Sequence, residues 1–265
     1  MSRISIAIPH YNQPHLISRA IESLSLTCLK DIQLLVMDDA SSDDVFAQLQ
    51  QQLDKTKQLS KHPIRLFRAS KNVGTYRMKN AIIQQLDTEY LAFHDADDFS
   101  VAMRLDRLYD GMRDSNIDIL GSAYMEVMSD LDKGDSYYIK RFYKMPYLAH
   151  KVGIKYISYQ PSQLVRFSCF DTLGGFDGST RIGADDEFTL RAVHCKKVRN
   201  LSEPLYVKIE QAKSLTTDET TGYQSPIRAA YKQKMADLRK KIKTGLSQEF
   251  YRNTPNDEDF SLKEF

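Results

Sequence analysis

A chain of 265 residues, 42% of them hydrophobic, has length and apolar content for one large α/β domain with room for an appendage. A formal net charge of +2 gives no ground for a nucleic-acid partner, and no apolar run approaches the roughly 20 residues a bilayer span needs. Cys28, Cys169 and Cys195 are odd in number and far apart, so reduced thiols in a cytoplasmic protein without a signal peptide are expected.

Along the chain, residues 4–8 form a short apolar run closed by Pro9, which reads as a first strand. Asn12 and Pro14 read as a helix start, and Leu16, Ala20, Leu24 and Cys28 follow at helical spacing. A second buried-type strand over 32–37 ends in Asp38-Asp39-Ala40-Ser41-Ser42-Asp43-Asp44, and 45–53 reads as a helix capped by one of those acids. A third strand (64–67), a turn at Asn72-Val73-Gly74, a helix (75–86) and a fourth strand (90–93) follow. The fourth strand runs into His94-Asp95-Ala96-Asp97-Asp98. Strand and helix in alternation predict a mainly parallel sheet covered on both faces, with ligands beyond the carboxyl ends of the strands. Neither the three-glycine dinucleotide fingerprint nor a phosphate-binding Gly-Lys-Ser/Thr loop is present.

The second half is less regular. A helix over 103–112 and a strand over 117–120 are expected, then a stretch to about residue 160 rich in Tyr, Phe, Lys and Arg. Asp185-Asp186-Glu187 opens a further helix. Residues 226–243 predict a basic amphipathic helix with Ile227, Tyr231, Met235, Leu238 and Ile242 on one face. Residues 256–265 read as a fraying polar end.

The acids carry the chemistry. Carboxylates crowded after a buried strand repel one another unless a cation neutralises them, so Asp95, Asp97 and Asp98 suit Mg²⁺ or Mn²⁺ shared with a diphosphate. The alternative is an acidic turn before the next helix. Asp38-Asp39 either accepts hydrogen bonds from a base or ribose or caps a helix, and Tyr11 either stacks on a base or covers the sheet edge. One of the three acids at 185–187 fits a helix cap, and another fits a general base. His94 reads as strand-end packing ahead of a metal ligand.

Together these segments resemble glycosyltransferase family 2, the inverting enzymes of GT-A fold. The pattern stands as Ile8-Pro9-His10-Tyr11-Asn12, Met37 to Asp43, Asn72-Val73-Gly74 with Lys79-Asn80, Asp95-Ala96-Asp97, Gly174-Gly175-Phe176-Asp177, and Ala184-Asp185 with Glu187-Phe188 and Arg191. The resemblance implies an α/β GT-A fold with a mainly parallel central sheet and a C-terminal helical extension. It implies transfer of a sugar from a UDP-sugar to a hydroxyl of a saccharide or lipid-linked saccharide, in surface polysaccharide or glycolipid synthesis. Pro9, Tyr11, Asp39, Asp95 and Asp97 would bind the nucleotide, Asp97 (with Asp98 as a second candidate) the Mn²⁺ or Mg²⁺, and Arg77 or Lys79 the phosphates. Asp185 would be the catalytic base. The family's Glu is Ala184 here, which leaves Asp186 as the fallback.

The expected organisation is a catalytic domain over 1–222, with a nucleotide-sugar half (1–100) and an acceptor half (101–222), then a basic helix and tail over 223–265. The tyrosines and lysines of 137–159 suit an acceptor loop or rings packed on the sheet, and the helix at 226–243 suits a membrane surface or a packed face. A sugar-nucleotide nucleotidyltransferase is the rival enzyme, but residues 8–13 lack its glycine-rich loop. An inactive nucleotide- or sugar-binding module is the rival outside enzymology.

Overall fold

The apolar runs of the first half become β1 (Ile4–His10), β2 (Ile32–Asp38), β3 (Ile64–Ala69) and β4 (Tyr90–Phe93) in a computed structural model of the chain. The structure describes residues 3–130, 134–210, 220–222, 224–243 and 259–265. These four strands pair in parallel, in the order β3-β2-β1-β4. Strand side chains alternate, and that alternation sorts the core into two layers. Ile4, Ile6 and Ile8 of β1 pack with Ile17, Phe46 and Leu108, drawn from α1 (Ile17–Leu24), α2 (Asp43–Lys57) and α4 (Arg104–Arg113). Ala7, Leu35 and Phe93 face the other way, onto Met78 of α3 (Thr75–Gln84) and Phe188 of α7 (Ala184–Cys195).

The second half widens the sheet. It contributes β5 (Phe99–Ser100), β6 (Ile119–Asp130), β7 (Gly134–Lys140), β8 (Leu164–Arg166), β9 (Val198–Ile209) and β10 (Leu262–Glu264). It also adds α5 (Pro146–Lys151), α6 (Cys169–Leu173) and α8 (Pro226–Lys243). The ten-stranded sheet runs β10-β3-β2-β1-β4-β8-β6-β9-β5, with β7 hanging from β6 as a hairpin partner. Antiparallel β8, β5, β7 and β10 make it mixed, around the expected parallel centre.

Several expectations are corrected. Asn12 does not cap α1: it sits at φ 55°, and the helix begins five residues later at Ile17. The helix expected over 45–53 begins at Asp43, so Asp43 and Asp44 meet the positive end of its dipole instead of capping it. β6 is twelve residues long, and β9, which the sequence pattern hides, pairs with it in parallel across register shifts at Ser122–Tyr124. Ser202, Glu203 and Pro204 interrupt the apolar pattern of β9 at that irregular stretch. The tail does not fray over 259–265: Leu262–Glu264 form an edge strand on β3, and Glu264 accepts two hydrogen bonds from Arg65 at 2.7 and 2.8 Å. Phe260 and Leu262 pack on the core, and the Phe265 ring meets Phe46 edge-on at 5.0 Å. Residues 256–258 of the expected tail lie outside the described residues.

On α8, Met235 and Ile242 are buried in the core with Tyr231 and Leu238 against them, whereas Ile227 is exposed. The apolar face expected to meet a membrane is thus mostly covered by protein. Among the described residues no helix is long and apolar enough to cross a membrane.

Candidate active site

Three parallel strands, β1, β2 and β4, end at one edge of the sheet, and their following loops carry Tyr11, Asp38-Asp39 and Asp95-Ala96-Asp97-Asp98. Hydrogen bonding divides the acids there into two groups: those engaged by protein donors and those left open.

Asp38 is engaged. Fully buried, it meets His10 Nδ1 at 3.0 Å and accepts from the Ser41 amide at 3.1 Å and the Ser41 hydroxyl at 2.6 Å. The Ser41 hydroxyl in turn accepts from the Asn12 amide at 2.9 Å, so one serine ties the β1 and β2 loops together. Asp39, 6% exposed, accepts from the amides of Val73 at 2.7 Å and Gly74 at 2.8 Å. Burial raises its pKa while those two N–H groups oppose the shift. Asp39 therefore joins the β2 loop to the start of α3, and a nucleoside contact at Asp39 would use the outer lone pairs of oxygens already holding that joint. Asp98 is engaged as well: it accepts from the Tyr206 hydroxyl and the Ile209 amide, each at 2.8 Å, which fastens the loop to β9. Each Asp98 oxygen, the second candidate for the metal, thus already carries one protein donor.

Asp95 and Asp97 are open. Among the described residues neither side chain accepts a hydrogen bond from another residue; the Asp95 amide donates to Tyr206 at 3.2 Å, and the Asp97 carbonyl accepts from Arg19 at 2.8 Å. Burial and the neighbouring Asp95 push Asp97 up to about 6. Asp95 is raised by burial, with Lys79 acting against the shift and Asp185 adding to it. Buried carboxylates whose ionisation is resisted by burial and by each other form a donor set that suits a divalent cation. Among the described residues no cluster of three or more His, Cys, Asp or Glu side chains that could hold a metal ion occurs.

Across from them, α7 presents Asp185 and Asp186 in its first turn. The Tyr76 hydroxyl donates to Asp185 Oδ1 at 2.7 Å, and among the described residues the other oxygen has no hydrogen bond. Asp186 accepts from Tyr231 of α8 at 3.2 Å, and burial followed by the Asp185 charge pushes it up to about 7. Glu187 is the structural member. It grips Arg191 through two bonds of 2.7 and 3.0 Å, and Arg191 donates to the carbonyls of Leu173 and Gly175. Asn80 clamps the next residue, donating to the Phe176 carbonyl at 2.9 Å and accepting from its amide at 2.8 Å. Asn80 and the Gly-Gly-Phe segment thus brace α7 against α3.

Lys79, a candidate for the phosphates, is buried under this arrangement. It is 3% exposed, donates to Gln160 at 3.0 Å, and sits 4.7 Å from the Phe93 ring centroid. Burial lowers its pKa, while Asp95 and Asp185 both act to keep it charged, so it links the two open acid groups electrostatically. Arg77 also turns away: it pairs with Asp259 and stacks 5.1 Å from Phe260, both in the C-terminal segment. Pro9 is half-buried at the end of β1 beside Met37, and Tyr11 is exposed at the rim. His94 is packing, as expected: it is fully buried, its Nδ1 lies 3.3 Å from Arg104, and burial and that cation lower its pKa.

The structure adds residues with no sequence signal of their own. Buried Arg104 lies 5.0 Å from the Tyr206 ring and donates to the Pro161 carbonyl at 2.5 Å, placing a cation behind the acidic loop. An aromatic wall of Tyr206, Tyr159, Tyr124, Phe142 and Tyr156, with successive ring centroids 4.4–6.0 Å apart, runs from Asp98 towards Asp186. It supports the packed-ring reading for Phe142, Tyr156 and Tyr159, whereas Tyr137, Tyr138, Tyr143 and Tyr147 remain exposed. Where the wall ends, a cavity of about 470 Å³ opens between α8 and Lys155-Tyr156, with Asp186, Tyr231, Lys232 and Arg239 in its lining. A second cavity of about 510 Å³, lined by Lys30, Asp31, Gln33, Pro63 and Asp87, lies at the opposite ends of β2 and β3.

The sequence profile of glycosyl transferase family 2 matches residues 5–174. The chain belongs to that family. Among curated relatives, an uncharacterized glycosyltransferase of Bacillus subtilis, EpsJ, is 26% identical over 230 residues, which is 80% of this chain and 62% of that protein. WfgD of Escherichia coli, named a UDP-Glc:alpha-D-GlcNAc-diphosphoundecaprenol beta-1,3-glucosyltransferase, is 29% identical over 46% of this chain and 45% of its own length. This family 2 chain therefore spans under two thirds of these relatives. Among solved structures, S. aureus TarS 1-349 in complex with UDP-GlcNAc superimposes with a TM-score of 0.65 at 16% identity, over 93% of this chain and 74% of that one. The mannosyltransferase PcManGT of Pyrobaculum calidifontis, in complex with GDP-Man and Mn²⁺, gives 0.57 at 17%, over 80% and 57%. At such identities the likeness shows the GT-A fold, which this family 2 chain shares.

Proposed function

We propose that the chain transfers a sugar from a UDP-sugar to a hydroxyl of a saccharide acceptor, lipid-linked, with inversion at the anomeric carbon. The observation that carries this reading is the meeting of two open acid groups, Asp95 with Asp97 and Asp185, over buried Lys79. UDP is favoured by the TarS complexes with UDP and UDP-GlcNAc and by the UDP-Glc in the name of WfgD. The lipid-linked acceptor is favoured by the diphosphoundecaprenol in the names of WfgD and a Campylobacter jejuni glucosyltransferase.

Pro9, Tyr11 and Asp39 flank the nucleoside, with Asp95 towards the ribose. Asp97 would hold Mn²⁺ or Mg²⁺, which supplies positive charge to the departing diphosphate. The acceptor lies on the side of the cavity beside α8. Asp185 takes the proton of the acceptor hydroxyl, the freed oxygen bonds to the anomeric carbon, and the bond from that carbon to the phosphate oxygen breaks with its electron pair leaving on UDP. Tyr76 holds Asp185 in orientation for that transfer. Residues 223–265 form no separate unit in this reading, since α8 and the described 259–265 pack on the same sheet and core.

Titration calorimetry with UDP, with and without Mn²⁺, tests the donor site. Binding that is strengthened by Mn²⁺ and loses that dependence in Asp97→Ala supports the reading. Binding of GDP alone would move the donor class, and no nucleotide binding by the folded protein would overturn it.

A further inference from the structure

We propose that the surface running from β7 through α5 docks on an anionic lipid bilayer. Fourteen large hydrophobic residues are exposed among the described residues, and eight of them fall between Tyr137 and Val152. They are Tyr137, Tyr138 and Ile139 on β7, Tyr143 and Met145 in the linker, and Tyr147, Leu148 and Val152 on and after α5. Tyr137 and Val152 are 71% and 78% exposed, so these are side chains left in water and not edges of core residues. Such a concentration marks an interaction site.

The charges choose the partner. Residues 136–155 contain no Asp or Glu, and Lys140, Arg141, Lys144, Lys151 and Lys155 are all exposed. Among the described residues no carboxylate lies within ion-pair distance of any of the five. Exposed tyrosines, each an apolar ring with a polar tip, mixed with exposed aliphatic residues and cations, match the headgroup region of an anionic membrane.

The patch is held in shape. Asn200 of β9 donates to the Tyr143 carbonyl at 3.0 Å through its side chain and to the Lys144 carbonyl at 3.2 Å through its amide. Lys140 sits 5.2 Å from the Tyr156 ring, and Phe142 meets Tyr156 edge-on at 5.4 Å, so the end of β7 is joined to the segment after α5. On α5, Pro146, Ala149 and His150 are buried while Tyr147, Leu148 and Lys151 face out, which presents one turn broadside. Lys155 and Tyr156 also line the cavity beside Asp186, so the patch borders the acceptor side of the site. Helix α8 is the weaker candidate, because its apolar face is in the core and Lys234 pairs with Asp177.

Co-sedimentation with phosphatidylcholine vesicles containing 30% phosphatidylglycerol (about a third), against phosphatidylcholine alone, reads the partition directly. We expect binding only to the anionic vesicles, weakened by salt. Each cation near such a surface contributes roughly fivefold, so the triple variant Lys140→Glu, Lys144→Glu, Lys151→Glu loses about a hundredfold or more. The triple variant Ile139→Ser, Leu148→Ser, Val152→Ser keeps the salt-sensitive attraction but loses at least tenfold in partition. Lys241→Glu on α8 changes partition less than either. UDP calorimetry and a melting curve on each variant separate loss of the face from loss of the fold. Failure of the wild-type protein to bind anionic vesicles overturns the proposal. So does binding that the first two variants leave unchanged, or a dimer in sedimentation velocity that they dissociate while vesicle binding persists.

Discussion

Asp186→Asn separates the two adjacent acids of α7 by their effect on stability as well as on turnover. Asp186 titrates near 7 in the folded protein against an ordinary value of 3.8, with burial the first cause and Asp185 the second. A carboxyl whose pKa is raised by folding holds its proton in the native state over a range where the unfolded chain has released it. Its contribution to stability is therefore largest below about pH 4 and declines as pH rises towards 7. A shift of about 3 units corresponds to about 4 kcal/mol at the limit. Asp186 keeps some solvent access, which screens part of this, and about 2 kcal/mol is the working magnitude.

Asparagine keeps the acceptor for the Tyr231 hydroxyl and removes the titration. Urea denaturation of both proteins, at steps from about pH 4 to about pH 8, is the assay, and the quantity is the difference between them at each pH. Taking the difference cancels the similar pH dependence contributed by Asp97 and Asp98. We expect the variant to gain on the wild type as pH rises, ending about 2 kcal/mol more stable at pH 8. A difference that stays flat with pH, or a variant that is weaker at pH 8, would refute the argument from burial. Turnover should survive, since Asp185 is the assigned base; abolished turnover with intact UDP binding would move that role to Asp186.

The companion change, Asp185→Asn, should lower kcat by about 10² to 10⁴ with UDP affinity unaltered, read by steady-state kinetics beside calorimetry. Ala40 holds φ 55°, a left-handed conformation that disfavours a Cβ, so Ala40→Gly should raise stability by about 1 kcal/mol in a denaturation curve. Gly183 also has positive φ, and a Cβ there would collide with the Tyr231 ring. Gly183→Ala should therefore displace α8 and lower stability by at least about 2 kcal/mol, visible as a reduced Tm and as faster proteolysis of the C-terminal segment.

What was legible in the sequence was whatever depends on a residue and its near neighbours. The four parallel strands followed from their apolar runs, and the acids after β4 stood out because charges do not belong after a buried strand. Hidden were features that depend on partners far along the chain. Strand β9 is broken by Glu203 and Pro204 at a register shift, so neither it nor the place of Tyr206 behind Asp98 could be read from periodicity. Arg104 and Lys79 look like ordinary helix cations, yet both are buried, one behind the acidic loop and the other beneath the two open acid groups. The tail looked polar because its charges outnumber its rings, but Phe260, Leu262 and Phe265 pack while its backbone and Glu264 pair with β3.

The same distinction explains why counting acids could not locate the chemistry. Asp38, Asp39, Asp98 and Glu187 look no different in sequence from Asp95, Asp97 and Asp185. They differ in receiving donors on both oxygens, from Ser41, from Val73 and Gly74, from Tyr206 and Ile209, and from Arg191, whereas Asp185 receives one, from Tyr76. An acid so satisfied holds the loops in place, and an acid left open beside it has charge available for a substrate or a cation. Ala184 fits this division. It is fully buried among Phe176, Phe188 and the rest of that core layer, so the departure from the family's Glu lies in the packing, one residue before the side chain that Tyr76 orients. The proposed base therefore keeps its hydrogen-bonded position at Asp185 despite the change beside it.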